Sequence, residues 1–383
     1  MKISYISNVE IPSATANSIQ IMKMCSAFRA GGNEVVLYAP RSICLWGRKQ
    51  QDIIKQYGLR RSFKIVKIPF LGSSNYLLHK LSYRLFLVVY TFITALCILG
   101  KHQQLVYGRS LIPLLLLAIL GRNIIYEIHT PPHNRLKWML LDMLVRIKSC
   151  RRIVVISQRL KDALRPKIST DKILVAHDGA DMPEEENSEY MPDEYLKDFQ
   201  RVRNAGYTGH LYPGKGGELI IEMAKKMKDM NFHIFGGLKE DRRRLTSKGE
   251  IPSNVVFHGI IEHYKVASVI RRMDVLLLPV LRKVYAYGGR NIADFMSPLK
   301  LFEYMASGVP IVCSDIPVLR EVLEHGHNAL LCDPDNLNEW TDALSELLSD
   351  SETARRIAGN AKADCLQKYT WSMRAENVIK DAL

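Results

Sequence analysis

Short runs rich in Val, Ile and Leu, each closed by turn residues and followed by a helix-length segment, recur along almost the whole chain. This alternation restricts the fold more than any other feature. The first run is residues 2–7, and a polar loop carries the chain into a helical segment from about Ser18 to Ala30. Ile19, Met22, Met24, Cys25 and Phe28 give that segment a buried side, and Gly31-Gly32 ends it before the next run, residues 34–38. Comparable runs follow at 64–68, 105–107, 124–128, 152–156 and 172–175. Strands of this kind, separated by helices, are what a parallel sheet covered on both faces requires.

The pattern then restarts. Around Met182-Pro-Glu-Glu-Glu the composition turns acidic, which sets a boundary near residues 185–205, with a further helical stretch expected over 193–205. The second half offers runs at 205–209, 231–235, 255–258, 274–278 and 310–314, with a helix expected over 217–228. The fold class expected is therefore α/β, with two doubly wound Rossmann-like domains facing a central cleft. Ligands of such sheets bind beyond the carboxyl ends of the strands. The domains expected are residues 1–190 and residues 200–365, followed by a terminal segment, 366–383.

At 383 residues and 47% hydrophobic side chains, the chain is long enough for two cores of this kind. Its formal charge of +14 is lopsided: residues 1–190 hold 27 basic and 13 acidic side chains, and the remainder holds 26 of each. A basic first half suits an anionic surface or ligand. Nucleic acid is disfavoured as a partner, because no basic and aromatic repeat or nucleic-acid motif is present. The seven cysteines contain no C-x-x-C pair and mostly adjoin apolar residues, which points to buried thiols rather than disulfides or zinc. Two uncharged apolar runs, 16 residues at 85–100 and 11 at 111–121, are too short to span a bilayer, which takes about 20. They fit core helices or helices lying on a membrane surface. The polar opening of the chain does not read as a signal peptide.

The stretch 294–315 carries the densest chemistry. Ser297 is a good helix N-cap and Pro298 a favoured first residue, so the following amides would point unpaired donors outward, where a phosphate fits. Glu303 lies further along the same helix, and its carboxylate suits the paired hydroxyls of a ribose. An ordinary capped amphipathic helix with a solvent-facing Glu is the plainer alternative.

Together with Tyr207-Thr-Gly-His-Leu-Tyr-Pro-Gly-Lys-Gly216, Phe235-Gly-Gly237, Val256-Phe-His-Gly259, Ser314-Asp-Ile-Pro-Val-Leu-Arg-Glu321 and Asn328-Ala-Leu-Leu331, this stretch resembles the GT-B glycosyltransferases of family 4, the retaining group 1 transferases. The resemblance covers most of residues 205–335, and the terminal Tyr369-Thr-Trp-Ser-Met-Arg374 also resembles that family's tail, which implies a helix over 366–383 that crosses back to the first domain. It is weaker in the first half, where it rests on the early loop, the His129 loop and the segment from Val154 to Asp181.

What the resemblance implies is specific. Lys215, set between Gly214 and Gly216, would stabilise a leaving diphosphate, where composition alone allows a solvent-facing lysine. Glu303 would bind ribose. Ser297, Pro298 and the amides of Leu299 and Lys300 would meet the diphosphate. Gly259 and Ile260 would line the base, and His129, at the end of a strand, would contact the transferred sugar, although a loop histidine supporting a turn is the plainer reading. Retention does not require His129 to act as a base on the acceptor. Two departures stand out: the position eight residues before Glu303, usually a glutamate, is Phe295, and an expected arginine is His210. In the early loop, Ala14 and Ala16 stand where relatives carry glycines, and Asn17 or Ser18 is expected to cap the helix.

The implied activity is transfer of a sugar from a nucleoside-diphosphate sugar to a hydroxyl acceptor, with no other cofactor and no required metal. Charge and apolar surface together suggest a lipid-linked or envelope-polysaccharide acceptor. They also suggest a cytoplasmic protein held peripherally on the inner face of an anionic membrane. A sugar-nucleotide epimerase, or an inert carbohydrate-binding protein of the same fold, is the alternative.

Overall fold

A computed structural model describes residues 1–7, 9–13, 15–42, 50–70, 76–100, 104–181, 203–247, 249–285 and 291–382. The chain divides into two compact units, Met1–His177 with Trp371–Leu383, and Asp178–Thr370.

The first unit is built on a parallel sheet of strands β1 (Lys2–Ile6), β2 (Glu34–Ser42), β3 (Lys64–Phe70), β4 (Leu105–Gly108), β5 (Ile124–Ile128), β6 (Cys150–Val155) and β7 (Ile173–Val175). Their order is β3-β2-β1-β4-β5-β6-β7, so the winding reverses between β1 and β4. Ile3 sits between Val35 and Leu105 in register. Ser4 is as fully buried as Ile3, Tyr5 and Ile6, because helices cover both faces of the central strand.

The first helix, Ala16–Ala30, starts earlier than the sequence suggested. Its N-cap is Thr15, which accepts the Ser18 amide at 3.3 Å, so neither Asn17 nor Ser18 is the cap. The Ser18 hydroxyl instead donates back to the Ser13 and Thr15 carbonyls, at 2.7 and 2.9 Å. The terminal helix Trp371–Ile379 packs on Ala16–Ala30 and buries Trp371, Arg374, Ala375 and Val378.

The apolar runs form helices Tyr76–Leu99 and Leu111–Ile119, and each divides between core and surface. Tyr90, Thr94, Ala95 and Ile98 face inward, and the Tyr90 hydroxyl donates to the Ser7 carbonyl at 2.8 Å. Val88, Val89, Phe92 and Leu96 stay exposed. Among the described residues, no helix is long and apolar enough to cross a membrane.

The second unit repeats the plan with β8 (Arg203–Thr208), β9 (Met230–Phe235), β10 (Val255–Gly259), β11 (Val275–Leu278), β12 (Ile311–Ser314) and β13 (Leu330–Cys332), in the order β10-β9-β8-β11-β12-β13. The reversal falls between β8 and β11. Separate cores cover the two faces, one including Phe302, Tyr304 and Met305, the other Ile220, Phe232 and Trp340. The helix expected over 193–205 lies mostly outside the described residues, and its last part, from Arg203, is strand. The helix after β8 is Gly217–Lys226, shorter than expected. Of the cysteines, 25, 150, 313, 332 and 365 are buried free thiols and Cys97 is a half-buried one, while Cys44 lies outside the described residues.

Candidate functional site

In the second unit the site grows from the carboxyl ends of the two strands at which the winding reverses. After β8 the chain makes a tight loop in which Gly214 and Gly216 hold φ of +91° and +83°. This loop lies against the segment leaving β11, with the Leu281 amide donating to the Gly214 carbonyl at 2.9 Å. A Cβ on Gly214 would run into the Lys283 carbonyl oxygen, and one on Gly216 into that of Pro279. The glycines therefore set the backbone path that presents Lys215.

The helix following the Ser297-Pro298 pair spans Leu299–Ser307 and differs from expectation at its start. Pro298 occupies the N-cap position and no side chain caps the helix. The Ser297 hydroxyl instead accepts the Asp178 amide at 2.9 Å, because the extended Pro298 places Ser297 one residue too early for a cap bond. Ser297 is thus engaged in holding the Asp178 backbone. The Thr208 amide donates to the Tyr304 hydroxyl at 2.7 Å, which fixes the helix against the end of β8.

This docking brings Lys300 beside Lys215. Lys300 Nζ lies 3.6 Å from the centroid of the Tyr207 ring, and Lys215 Nζ lies 5.3 Å from that of Tyr212. Burial lowers the Lys215 ammonium from 10.5 to about 8. Lys300 is pushed well below its ordinary value, first by burial and then by the Lys215 charge, with Glu303 opposing. His210 is lowered by burial and then by both lysines, so it is a neutral neighbour rather than a third cation. Two ammonium groups withdrawn from water and repelling one another are poorly stabilised until an anion joins them. Sequence reasoning expected only the amide of Lys300 to take part.

Glu303 is oriented by His263, whose Nε2 lies 2.7 Å from Oε1. His263 opens the helix His263–Ile270, shortly after the end of β10. At that end the Gly259 carbonyl already accepts the Gly236 amide at 2.6 Å, whereas Ile260 is exposed. An apolar contact to a flat ring therefore falls to Ile260 more than to Gly259. Among the described residues, no group of three or more His, Cys, Asp or Glu is placed to hold a metal ion.

His129 belongs to the first unit and follows β5 directly. Glu127, two residues earlier on the strand, was missed in the sequence although strand periodicity puts the two on one face. Its buried Oε1 accepts from Gln20 Nε2 at 2.6 Å, and His129 Nε2 lies 2.5 Å from it. Arg374 Nη2 reaches the same oxygen at 3.2 Å, while Tyr107 donates to Oε2. Arg109, just beyond β4, bonds Asn17 and also Gln20, at 3.3 Å for the latter. Burial pushes the His129 imidazolium down from 6.5 to about 4, Arg109 adds to the effect, and Glu127 only partly offsets it.

Two parallel sheets, each covered by helices and each reversing its winding at the centre, are the plan of the GT-B fold. The chain is a GT-B-fold protein related to the family described as Glycosyl transferases group 1, whose model matches residues 202–350. An uncharacterized glycosyltransferase of Methanocaldococcus jannaschii is 24% identical over 257 residues, 63% of this chain and 61% of the relative. A phosphatidyl-myo-inositol mannosyltransferase of Mycobacterium leprae is 26% identical over 172 residues, 44% of this chain and 42% of the relative. The chain thus spans less than two thirds of these curated relatives. Among solved structures, Anabaena HepE in complex with UDP and glucose matches with a TM-score of 0.70 at 16% identity, covering 99% of this chain and 98% of that one.

Proposed function

We propose that the protein transfers a glycosyl unit from a nucleoside-diphosphate sugar to a hydroxyl acceptor with retention of anomeric configuration. The observation that carries this reading is the pair of half-buried lysines, 215 and 300, at the carboxyl end of β8. In the reaction the bond from the anomeric carbon to the diphosphate oxygen breaks and its electrons leave with the diphosphate. The acceptor oxygen bonds the same face of that carbon and passes its proton to the departing diphosphate oxygen. Lys215 and Lys300 meet the charge that grows on the leaving group, Glu303 binds the ribose, Ile260 lies against the base, and His129 contacts the sugar.

A screen of sugar nucleotides against lipid extracts and soluble glycan acceptors tests the reading. Transfer with the anomeric configuration kept is the expected result. An inert binder of the same fold, the reading that Phe295 in place of a carboxylate would favour, gives neither transfer nor donor hydrolysis.

Glu303→Gln should weaken UDP or GDP binding by roughly 10- to 100-fold, the loss of one charge-assisted hydrogen bond, while the amide oxygen keeps its contact with His263. Calorimetric titration with both nucleotides checks this, and unchanged affinity removes Glu303 from the ribose.

A membrane-linked acceptor is supported by the outer surface of the first unit. Helices Tyr76–Leu99, Leu111–Ile119 and Arg135–Arg146 pack side by side. They expose Phe92, Leu96, Ile119, Leu136, Met139 and Met143. On the last of them, exposed Arg135, Lys137 and Arg146 border the apolar residues. Apolar side chains flanked on one helix by cations suit the interface of an anionic bilayer, and they fit a location on the cytoplasmic face of the membrane. The phosphatidyl-inositol acceptor in the name of the M. leprae relative agrees with a lipid-borne substrate. At low salt the protein should bind vesicles containing phosphatidylglycerol and not those of phosphatidylcholine alone, and high salt should release most of it. Failure to bind either would leave the exposed face without a membrane role.

A further inference from the structure

The first unit holds a buried carboxylate on which four side chains converge. Glu127 is buried, accepts from Gln20, Tyr107 and Arg374, and lies 2.5 Å from His129 Nε2. Arg374 comes from the terminal helix Trp371–Ile379 and is itself fixed by the His177 and Ala176 carbonyls, at 2.9 and 3.2 Å. We infer that Glu127 is a positioning residue for His129. It holds the imidazole in the Nε2–H form, with Nδ1 left as a hydrogen-bond acceptor, and Arg374 keeps the Glu127 charge from drawing a second proton onto that ring.

The argument is one of proton inventory. An ionised carboxylate only accepts, so the His129 nitrogen facing it must carry the hydrogen. A lone Glu beside a His would normally favour the imidazolium, which has no acceptor left. Here burial alone would push Glu127 up, but the Arg374 guanidinium and the His129 hydrogen bond overcome this and hold it well below the usual carboxylate range. With its charge balanced by Arg374, Glu127 orients His129 without protonating it. Other groups around the cluster act in the same sense or do not titrate near neutrality. Arg109 beyond β4 disfavours a charged His129, and Tyr5 on β1 and Tyr107 on β4 are raised well above 10.0, chiefly by burial. Cys25, on the helix Ala16–Ala30, is also raised by burial. A neutral Nδ1 at the carboxyl end of β5 is suited to a hydroxyl donor. Only the identity of that hydroxyl, on a sugar, rests on the glycosyl-transfer reading.

The test is an NMR titration of the full-length protein carrying nitrogen-15 histidine, with His129 assigned from the spectrum of His129→Gln. The wild type should show the Nε2–H tautomer throughout neutral pH and titrate near 4. Arg374→Met should move that midpoint upward, with burial and Arg109 still opposing the charged ring, and Arg374→Lys, which restores the charge, should bring it back below that of Arg374→Met. An Nδ1–H tautomer or a midpoint near 6.5 in the wild type overturns the inference, and this measurement stands even if Arg374→Met does not fold. So does a midpoint unchanged in Arg374→Met, or one equal in the Lys and Met variants. Because no donor or acceptor is added, failure here is separate from failure of the transferase reading.

Discussion

Lys215→Ala should depress turnover by roughly 10- to 1000-fold at saturating donor, the cost of removing a principal electrostatic donor from a leaving group. Lys215 is half-buried on a loop whose path is set by its neighbours, so on the proposed reading it would meet an incoming diphosphate without reorganising. Its partner Lys300 is pushed down partly by the Lys215 charge, so Lys215→Ala should also raise the Lys300 value. The loss should appear in kcat more than in ground-state donor affinity, and steady-state kinetics with the donor identified by screening measures both. Near-normal turnover would make Lys215 a bystander. The same geometry gives a pH signature. Because Lys215 ionises at about 8 in the free protein, binding a diphosphate above that pH must draw a proton back onto it. Nucleotide affinity should therefore fall as pH rises past 8, by at most about tenfold per unit for one linked proton. Stability of the free protein runs the other way. The folded value lies below the ordinary 10.5, so above 8 the unfolded chain holds more protons and folding gains as pH rises between them.

The alternation of short apolar runs with helical segments was enough to read two parallel sheets, since β1, β5, β9 and β11 are each bounded by turn residues that their neighbours in sequence supply. Local signals served less well where two candidates competed. Thr15, Asn17 and Ser18 are all good caps, and only the path of the polypeptide shows that Thr15 holds the position. Ser297 followed by Pro298 reads as a cap and first turn, but a bond to the distant Asp178 amide takes the hydroxyl instead. In the candidate site, Lys215 and Glu303 were singled out chiefly by the family resemblance, since the glycines and the helix that frame them also suit a solvent-facing lysine and glutamate. Lys300 was singled out only for its amide, because the placement of its side chain arises from the folding of Tyr207 beneath it. The Glu127 cluster was hidden for a different reason. Its members, Gln20, Tyr107, Arg109, His129 and Arg374, come from separate strands and helices, and no spacing rule joins the terminal helix to β5. The apolar runs, too, were ambiguous in sequence because each helix serves the core on one side and the surface on the other.

Gly216→Ala should cost the second unit at least about 2 kcal/mol and abolish measurable nucleotide binding, whereas Gly326→Ala should cost only about 1 kcal/mol and leave binding intact. Both glycines have left-handed backbones, with φ of +83° and +74°, so both substitutions carry the same dihedral penalty. They differ in surroundings. Nothing lies within 4 Å of a Cβ built on Gly326, while one on Gly216 meets the Pro279 carbonyl oxygen. Relieving that collision requires the loop after β8 to retreat from the segment leaving β11, which stretches the Leu281 to Gly214 bond of 2.9 Å and shifts the start of the helix Gly217–Lys226. Lys215 then moves away from Lys300, and the paired charge that a diphosphate needs is lost. Denaturant unfolding of both variants, alongside UDP and GDP titration, separates the two contributions. Equal destabilisation, or retained binding in Gly216→Ala, would mean that the close approach of the two backbones does not fix the position of Lys215.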